Sequence, residues 1–301
     1  MTKTLSRPNT FEDYKTRFEG MFSEESHQIG LNFQPHPTDV IITPFSKSGT
    51  TWLQQIVHGL RSRGDMDFDD ISRVVPWLGV SHDLGIDINA PQRWQPRAFK
   101  SHSNWQDVPK GGRYIVSIRD PRDVLVSLYR FSEGWFFEPG SISIEEYADD
   151  EFFTPEAGKG YWHHLLSWWS QRDNEQVLLL SFEWMKTNLE ETVQRVADFI
   201  GVELDDALFE LVVHQASFGF MLAHKDRFDD KLLREWSEAY ANLPSDSDAS
   251  KVRAGQVGSY KRELTAVLQQ KLDTIWQQTV QPALGFATYE DFQKALVKRS
   301  I

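Results

Sequence analysis

Apolar residues along the chain gather in short runs and in stretches of helical period, with polar turns between them. Asp39 to Thr43 is a run of mostly β-branched residues closed by Pro44, the pattern of a buried strand. From Trp52 onward, Leu53, Ile56, Val57 and Leu60 recur at helical spacing, and Gly64 stands where a C-terminal cap would fall. Arg97 to His102 reads as a short strand ending in Lys-Ser-His and Arg113 to Arg119 as an alternating one. Asp120 then offers an N-cap and Pro121 a first helical residue, ahead of an apolar face of Val124, Leu125 and Leu128. Gln176 to Phe182 predicts another buried strand. Asn188 with Glu191 predicts a capping box for a helix through Val193, Val196, Phe199 and Ile200 that ends at Gly201.

Strand and helix patterns thus alternate without a hairpin signal between strands, which predicts an α/β fold on a mostly parallel sheet with ligands at the strand C-terminal ends. Residues 1 to 37 are polar with scattered Phe11, Tyr14, Phe18, Phe22 and Phe33, and predict short helical turns packed on the body. Trp135, Phe136, Phe137, Trp162, Trp168 and Trp169 predict an aromatic part of the core. Asp226 to Asp248 is acidic and loop-prone, and predicts a solvated face or a mobile loop.

Composition narrows the class. With 301 residues, 40% of them hydrophobic, the chain can bury one large core or two ordinary ones. No run approaches the length of a membrane span, and Met1 to Gly30 lacks the apolar core of a secretory signal, so an intracellular, cytoplasmic protein is expected. The absence of cysteine excludes disulfides, thiolate metal sites and cysteine nucleophiles. A formal net charge of -12 argues against broad nucleic-acid or anionic-membrane binding. It leaves room for a local cluster of cations around a small anion.

Such a cluster is visible between the first strand and its helix. Ser48, Gly49, Thr50 and Thr51 bring backbone N–H groups and three hydroxyls to a helix N-terminus, where unpaired donors and the helix dipole favour negative charge. Lys47 adds a full charge beside them. The turn is not a Walker loop, because the lysine precedes the glycine and Pro44 occupies the position of the first Walker glycine. Further on, Arg119 and Ser127 stand at a strand end and two helical turns beyond it, where a guanidinium fork and a hydroxyl could reach one anion. His102 ends the Lys100-Ser101-His102 strand tip, and a near-neutral imidazole there suits proton removal from a hydroxyl. The adjacent His163 and His164 face about 100° apart on a helix and make a poor metal site.

These segments resemble, in order, the motifs of the cytosolic-type sulfotransferases, which use 3′-phosphoadenosine 5′-phosphosulfate (PAPS) and release its product PAP. Lys47-Ser48-Gly49-Thr50-Thr51-Trp52 resembles the family's 5′-phosphosulfate motif, with Ser46 where the family usually has proline. Arg119 to Arg130 resembles its 3′-phosphate motif, which implies that Arg119 and Ser127 bind the 3′-phosphate. Lys100-Ser101-His102 resembles the element whose histidine is the catalytic base, and the likeness implies roles for Lys47 and Lys100 in stabilising the leaving and transferring groups. Trp77, in Val75-Pro76-Trp77-Leu78, resembles a residue of the acceptor pocket. Ser217-Phe218 with Met221 resembles the adenine-binding element; the family's adenine is sandwiched between the residues matching Phe218 and Trp52, and Phe182 stands where a tyrosine is common. Arg253-Ala254-Gly255-Gln256-Val257-Gly258 resembles the family's Arg-Lys-Gly-x-x-Gly loop, with Ala254 in place of its lysine. Thr265 is present in a half-matched dimerisation motif, which leaves the oligomeric state open.

The resemblance implies a single domain of the P-loop NTPase-like sulfotransferase fold over residues 38–290, with an N-terminal extension at 1–37 and a tail at 291–301. It implies sulfuryl transfer from PAPS to a hydroxyl or amine of a small, apolar or aromatic acceptor, without a metal. In the family the 226–248 region caps the ligands, which implies a lid. Two other readings stand beside it: a nucleotide kinase or NTPase, which needs a Walker loop and a magnesium-binding acid, and a non-catalytic nucleotide-binding or interaction protein derived from this fold.

Overall fold

Four strands form one sheet: β1 (Val40–Ile42), β2 (Ala98–Lys100), β3 (Arg113–Ile118) and β4 (Val177–Ser181). Their order is β2-β1-β3-β4 and every pairing is parallel. Val40 pairs with Ala98 on one side and Arg113 on the other, so β1 and β2 end level at Ile42 and Lys100, opposite Ile115, and β3 runs on to Ile118. The computed structural model describes residues 5–153, 160–247, 250–252 and 255–300. Among them no helix is long and apolar enough to cross a membrane.

The strands are buried on both faces, and their alternation sorts the core in two. Ile41, Phe99, Tyr114 and Val116 point to an aromatic side that holds Trp162, Trp168, Trp169, Trp276 and Phe292. Val40, Ile42, Ala98 and Ile115 point to an aliphatic side with Leu53, Ile56, Val57, Leu60, Val193 and Val196. That arrangement explains why the strands read as continuous apolar runs, as expected for a parallel sheet covered on both sides. Of the aromatic residues expected as core, Phe137, Trp162, Trp168 and Trp169 lie on the aromatic side and Trp135 in a smaller cluster with Leu233, while Phe136 is half-buried and lines a cavity. The final helix, Tyr289–Ser300, adds Phe292 and Leu296 to the same side.

Helix ends follow the sequence in most places. Asp120 caps the Pro121–Ser132 helix through a bond from the Arg122 N–H, and Gly201 ends the Leu189–Ile200 helix in a left-handed conformation. Short helices Phe11–Phe18 and Glu24–Leu31 fill the N-terminal segment. Three expectations are corrected. The strand expected to reach Phe182 stops at Ser181, whose hydroxyl caps a short helix, Phe182–Thr187. Asn188 makes no capping bond, because it closes that short helix instead: its Nδ2 donates to the Trp184 carbonyl at 2.9 Å and to Thr187 Oγ1 at 2.8 Å.

The largest correction concerns the acidic stretch after Asp226, which holds a helix, Lys231–Ala241, with Leu233, Ser237 and Ala241 turned inward. The helix is tied to the N-terminal segment by Trp236 Nε1 donating to the Met21 carbonyl at 3.0 Å and Tyr240 Oη to the Glu19 carbonyl at 2.7 Å. Its residue Asp230 is buried, not solvated. The Asp230 carboxylate does not cap the helix; Asp70 does so from a distant loop, accepting the Leu232 N–H at 2.9 Å.

A second buried acid fixes the glycine-containing loop after Gly255. Asp123 accepts the Gly258 N–H at 2.6 Å, the Ser259 hydroxyl at 3.1 Å and the Tyr260 N–H at 3.2 Å. This clasp fastens the loop to the Pro121–Ser132 helix. Asp123→Ala leaves these donors without a partner in a buried place and is expected to cost about 2 kcal/mol or more, read as a lower midpoint in urea unfolding; an unchanged midpoint would show that the loop does not depend on this carboxylate.

Candidate active site

Strand order locates the site. β2 lies to one side of β1 and β3 to the other, so the connections leaving the sheet diverge between β1 and β3, the place where open parallel sheets bind ligands. The turn after β1 leads into the Thr50–Ser62 helix. Lys47 and Gly49 are both left-handed there, at φ 64° and φ 102°. For Lys47 this conformation costs about 1 to 3 kcal/mol, a strain that surrounding contacts must hold. Ser117 Oγ of β3 donates to the Ser48 carbonyl at 2.5 Å, and Arg119 Nη1 donates to the Lys47 carbonyl at 2.9 Å.

The helix that follows starts at Gly49 with no side-chain cap, whereas Asp120, Ser143, Asp205 and Thr265 cap theirs. Its first N–H groups are therefore left for something other than the protein's own side chains. Ser48 Oγ, Thr50 Oγ1 and Arg119 Nε are also buried without a hydrogen-bond partner. Two of them, on Thr50 and Arg119, belong to residues that border a cavity, and beside an uncapped helix start they fit an anionic group. This is a physical constraint as much as an opportunity, since such atoms are normally satisfied.

Around this turn lies a cavity of about 530 Å³, lined by Lys47, Gly49, Thr50, Thr51, Trp52, Lys100, His102, Arg119, Ser127, Phe182, Phe218 and Gly255 among others. The structure thus brings together most residues singled out in the sequence. Trp52 Nε1 donates to the Ala216 carbonyl at 2.8 Å, which joins the helix to the segment carrying Phe218. The Phe182 ring lies against Gly49, where an added Cβ would come within 3.0 Å of it, and meets Trp52 edge-on at 5.9 Å. The Arg119 guanidinium sits over the same ring at 4.5 Å, while its Nη2 donates to the Gln256 carbonyl at 3.2 Å. Phe218 is 45% exposed, a large ring offered to the cavity and not packed away.

Two expected residues stand apart. Ser217 is spent as a helix cap, accepting the Phe220 N–H, and Ser48 is buried and does not border the cavity. Arg253 and Ala254 lie outside the described residues.

At the other end of the cavity His102 meets the Trp77 ring edge-on at 5.1 Å. His102 Nδ1 bonds the Pro44 carbonyl at 2.8 Å. A carbonyl only accepts, so Nδ1 carries the proton and Nε2 keeps its lone pair. Burial, reinforced by the nearby Lys100 charge, holds this imidazole well below the usual histidine range. Lys100 is buried, its ammonium 4.1 Å over the Trp77 ring and 3.3 Å from Asp230 Oδ2, and burial pulls it down to about 8. Lys47 lies over the Phe131 ring at 3.9 Å. The cations here work in a dry setting, where they act more strongly on an anion than they would in water.

Sequence reasoning missed Asp230, Lys251 and Phe131, all cavity residues. Only Asp230 had a signal, the acidic pair Asp229-Asp230, and that pair pointed toward solvent.

The sheet order and the turn at its switch point define an α/β protein of the P-loop-like class. Within that class the chain belongs to the sulfotransferase family, whose sulfotransferase-domain model matches residues 37–283. It is 31% identical over 262 residues to Sulfotransferase 1B1 of Canis lupus familiaris, covering 81% of this chain and 84% of that protein. It is 29% identical over 293 residues to Sulfotransferase 1E1 of Bos taurus, covering 91% and 95%. A solved structure of retinol dehydratase, in complex with androsterone and inactive cofactor PAP, superposes with a TM-score of 0.69 at 15% identity, over 92% of this chain and 96% of that one. Mouse sulfotransferase SULT7A1, complexed with PAP, gives 0.67 at 18%, over 92% and 94%. At these identities the structural likeness is one of fold. The family resemblance drawn from the ordered motifs is borne out, and the chain is a sulfotransferase.

A histidine with a depressed pKa stays neutral to more acidic pH than a free one. Nitrogen-15 spectra of the imidazoles are expected to show His102 neutral, protonated on Nδ1 only, from pH 8 down to at least pH 6. A His102 signal that titrates at or above 6.5 would contradict the buried, carbonyl-bound arrangement.

Proposed function

We propose that the enzyme transfers the sulfuryl group of PAPS to a hydroxyl or amine of a small, apolar or aromatic acceptor. The observation that carries the reading is the placement of His102 Nε2, neutral and unblocked by its Pro44 bond, in the same cavity as the uncapped start of the Thr50–Ser62 helix. His102 would take the acceptor's proton as the oxygen or nitrogen attacks sulfur in line. Lys47 and the Thr50 and Thr51 N–H groups would steady the negative charge on the departing phosphate, and Lys100 the transferring group. Arg119 and Ser127 would bind the 3′-phosphate, with adenine between Trp52 and Phe218 beside Phe182. Positioning and charge stabilisation supply most of the effect in such anionic group transfers.

The acceptor half supports the apolar reading. Tyr14, Phe22, Trp77, Phe131, Phe136 and Leu233 also line the cavity. The fold neighbour bound to androsterone is in keeping with an alcohol of this kind. The same proposal takes residues 38–290 as one domain, the Lys231–Ala241 helix as part of a lid, and the location as cytoplasmic.

With labelled PAPS and a panel of phenols, alcohols and amines, His102→Ala is expected to lose roughly 100-fold or more in turnover while binding PAP within about threefold of the parent. Full activity in that variant would remove the histidine from the mechanism. Titration with PAP against ATP and magnesium separates the donor classes: tighter binding of ATP would overturn the PAPS assignment.

A further inference from the structure

Two lysines in the cavity share one carboxylate oxygen. Lys100 Nζ donates to Asp230 Oδ2 at 3.3 Å, and Lys251 Nζ donates to the same atom. Asp230 Oδ1 is occupied by the Ser72 hydroxyl at 3.0 Å. The side chains of Lys100 and Asp230 are each 2% exposed and that of Lys251 11%. All three border the cavity that also contains Lys47 and His102. Both buried amines therefore bond one oxygen of one buried carboxylate; Asp70, also buried, acts on them from further off.

We propose that Lys251 is a further binding residue for the transferring anionic group, with Asp230 as the residue that positions both lysines, and that the anion brings a proton with it. The inference rests on the PAPS reading above. Its physical basis is the crowding of two amines on one acid oxygen: buried charges are tolerated when paired, and here both amines bond Asp230 Oδ2 while Asp70, the other buried acid nearby, accepts backbone N–H groups. A sulfonate or phosphate entering beside Lys100 and Lys251 supplies the negative charge that Asp230 cannot supply twice, and its oxygens accept from ammonium donors as charge-assisted hydrogen bonds.

The surroundings agree. The charges around Lys251 are Lys100 at the end of β2, Lys47 in the turn after β1, Asp70 in the loop before the Ile71–Val74 helix, Asp230 before Lys231–Ala241, and Asp229, which accepts the Lys251 backbone N–H at 2.9 Å. His102 also feels Lys251. Burial first, then Lys100 and Lys47, hold the Lys251 amine well below the ordinary lysine range. Near pH 8 the pair thus carries fewer than two protons. An anion favours the charged form of a nearby amine, so binding draws a proton from solvent, and the uptake shrinks as the pH is lowered and the amines fill beforehand.

Isothermal titration calorimetry at pH 8, in two buffers of different ionisation enthalpy such as HEPES and Tris, measures the protons exchanged when PAP or PAPS binds. The parent protein is expected to take up protons with PAPS, more than with PAP. Lys251→Met, which keeps length and removes charge, is expected to bind PAP within about threefold of the parent, to bind PAPS roughly tenfold more weakly, and to lose most of the extra uptake. Unchanged PAPS affinity and uptake in this variant overturn the role of Lys251 while leaving the donor assignment intact. Binding of PAPS by the parent without net uptake also overturns it, and needs no variant. A parent protein that binds neither nucleotide overturns the donor reading itself.

Discussion

The site depends on a backbone conformation that Lys47 would not choose alone. Its left-handed turn, continued by Gly49, persists because β3 lies beside β1 and supplies two donors: Ser117 to the Ser48 carbonyl and Arg119 to the Lys47 carbonyl. Phe182, just past the end of β4, covers the glycine. Neighbouring strands therefore over-determine a turn that would relax if isolated. The uncapped helix start, the lysine beside it and the arginine across from it are consequences of that one arrangement, and so of the order in which the strands pair.

What could be read from the chain was what local chemistry dictates. The β-branched run before Pro44, the spacing of Leu53 to Leu60, and the Asp120-Pro121 helix start each form for reasons contained in a few residues, and each formed as expected. The cavity residues Lys47, Thr50, Trp52, Arg119 and Ser127 were legible because they sit on or beside these strong elements. Asn188 failed because two helices compete for it at a shared junction, a contest that no single window displays. The Lys231–Ala241 helix was hidden by the charges around it, although Leu233 and Ser237 already sat at helical spacing. Asp230 was illegible for a different reason. Its burial is decided by Lys100, 130 positions away, and by Lys251, and nothing near it in sequence announces those partners.

The balance of charge is a matter of place. The chain as a whole is acidic, yet the cavity is lined by Lys47, Lys100, Arg119, Lys186, Lys251 and Arg262 against Asp230 and Glu263. Low-dielectric walls focus such a local excess, so an anion experiences the pocket and not the outer surface. The acidic exterior serves solubility and discourages polyanions too large to enter.

The helix that follows Asp230 is fastened in a way that has a consequence of its own. Trp236 and Tyr240 fasten the Lys231–Ala241 helix to carbonyl oxygens at Met21 and Glu19, atoms that every amino acid possesses. The side chains at those positions do not make the fastening. Met21 lines the cavity while its backbone carbonyl holds the helix, so the cavity wall can be rewritten there without unfastening that helix.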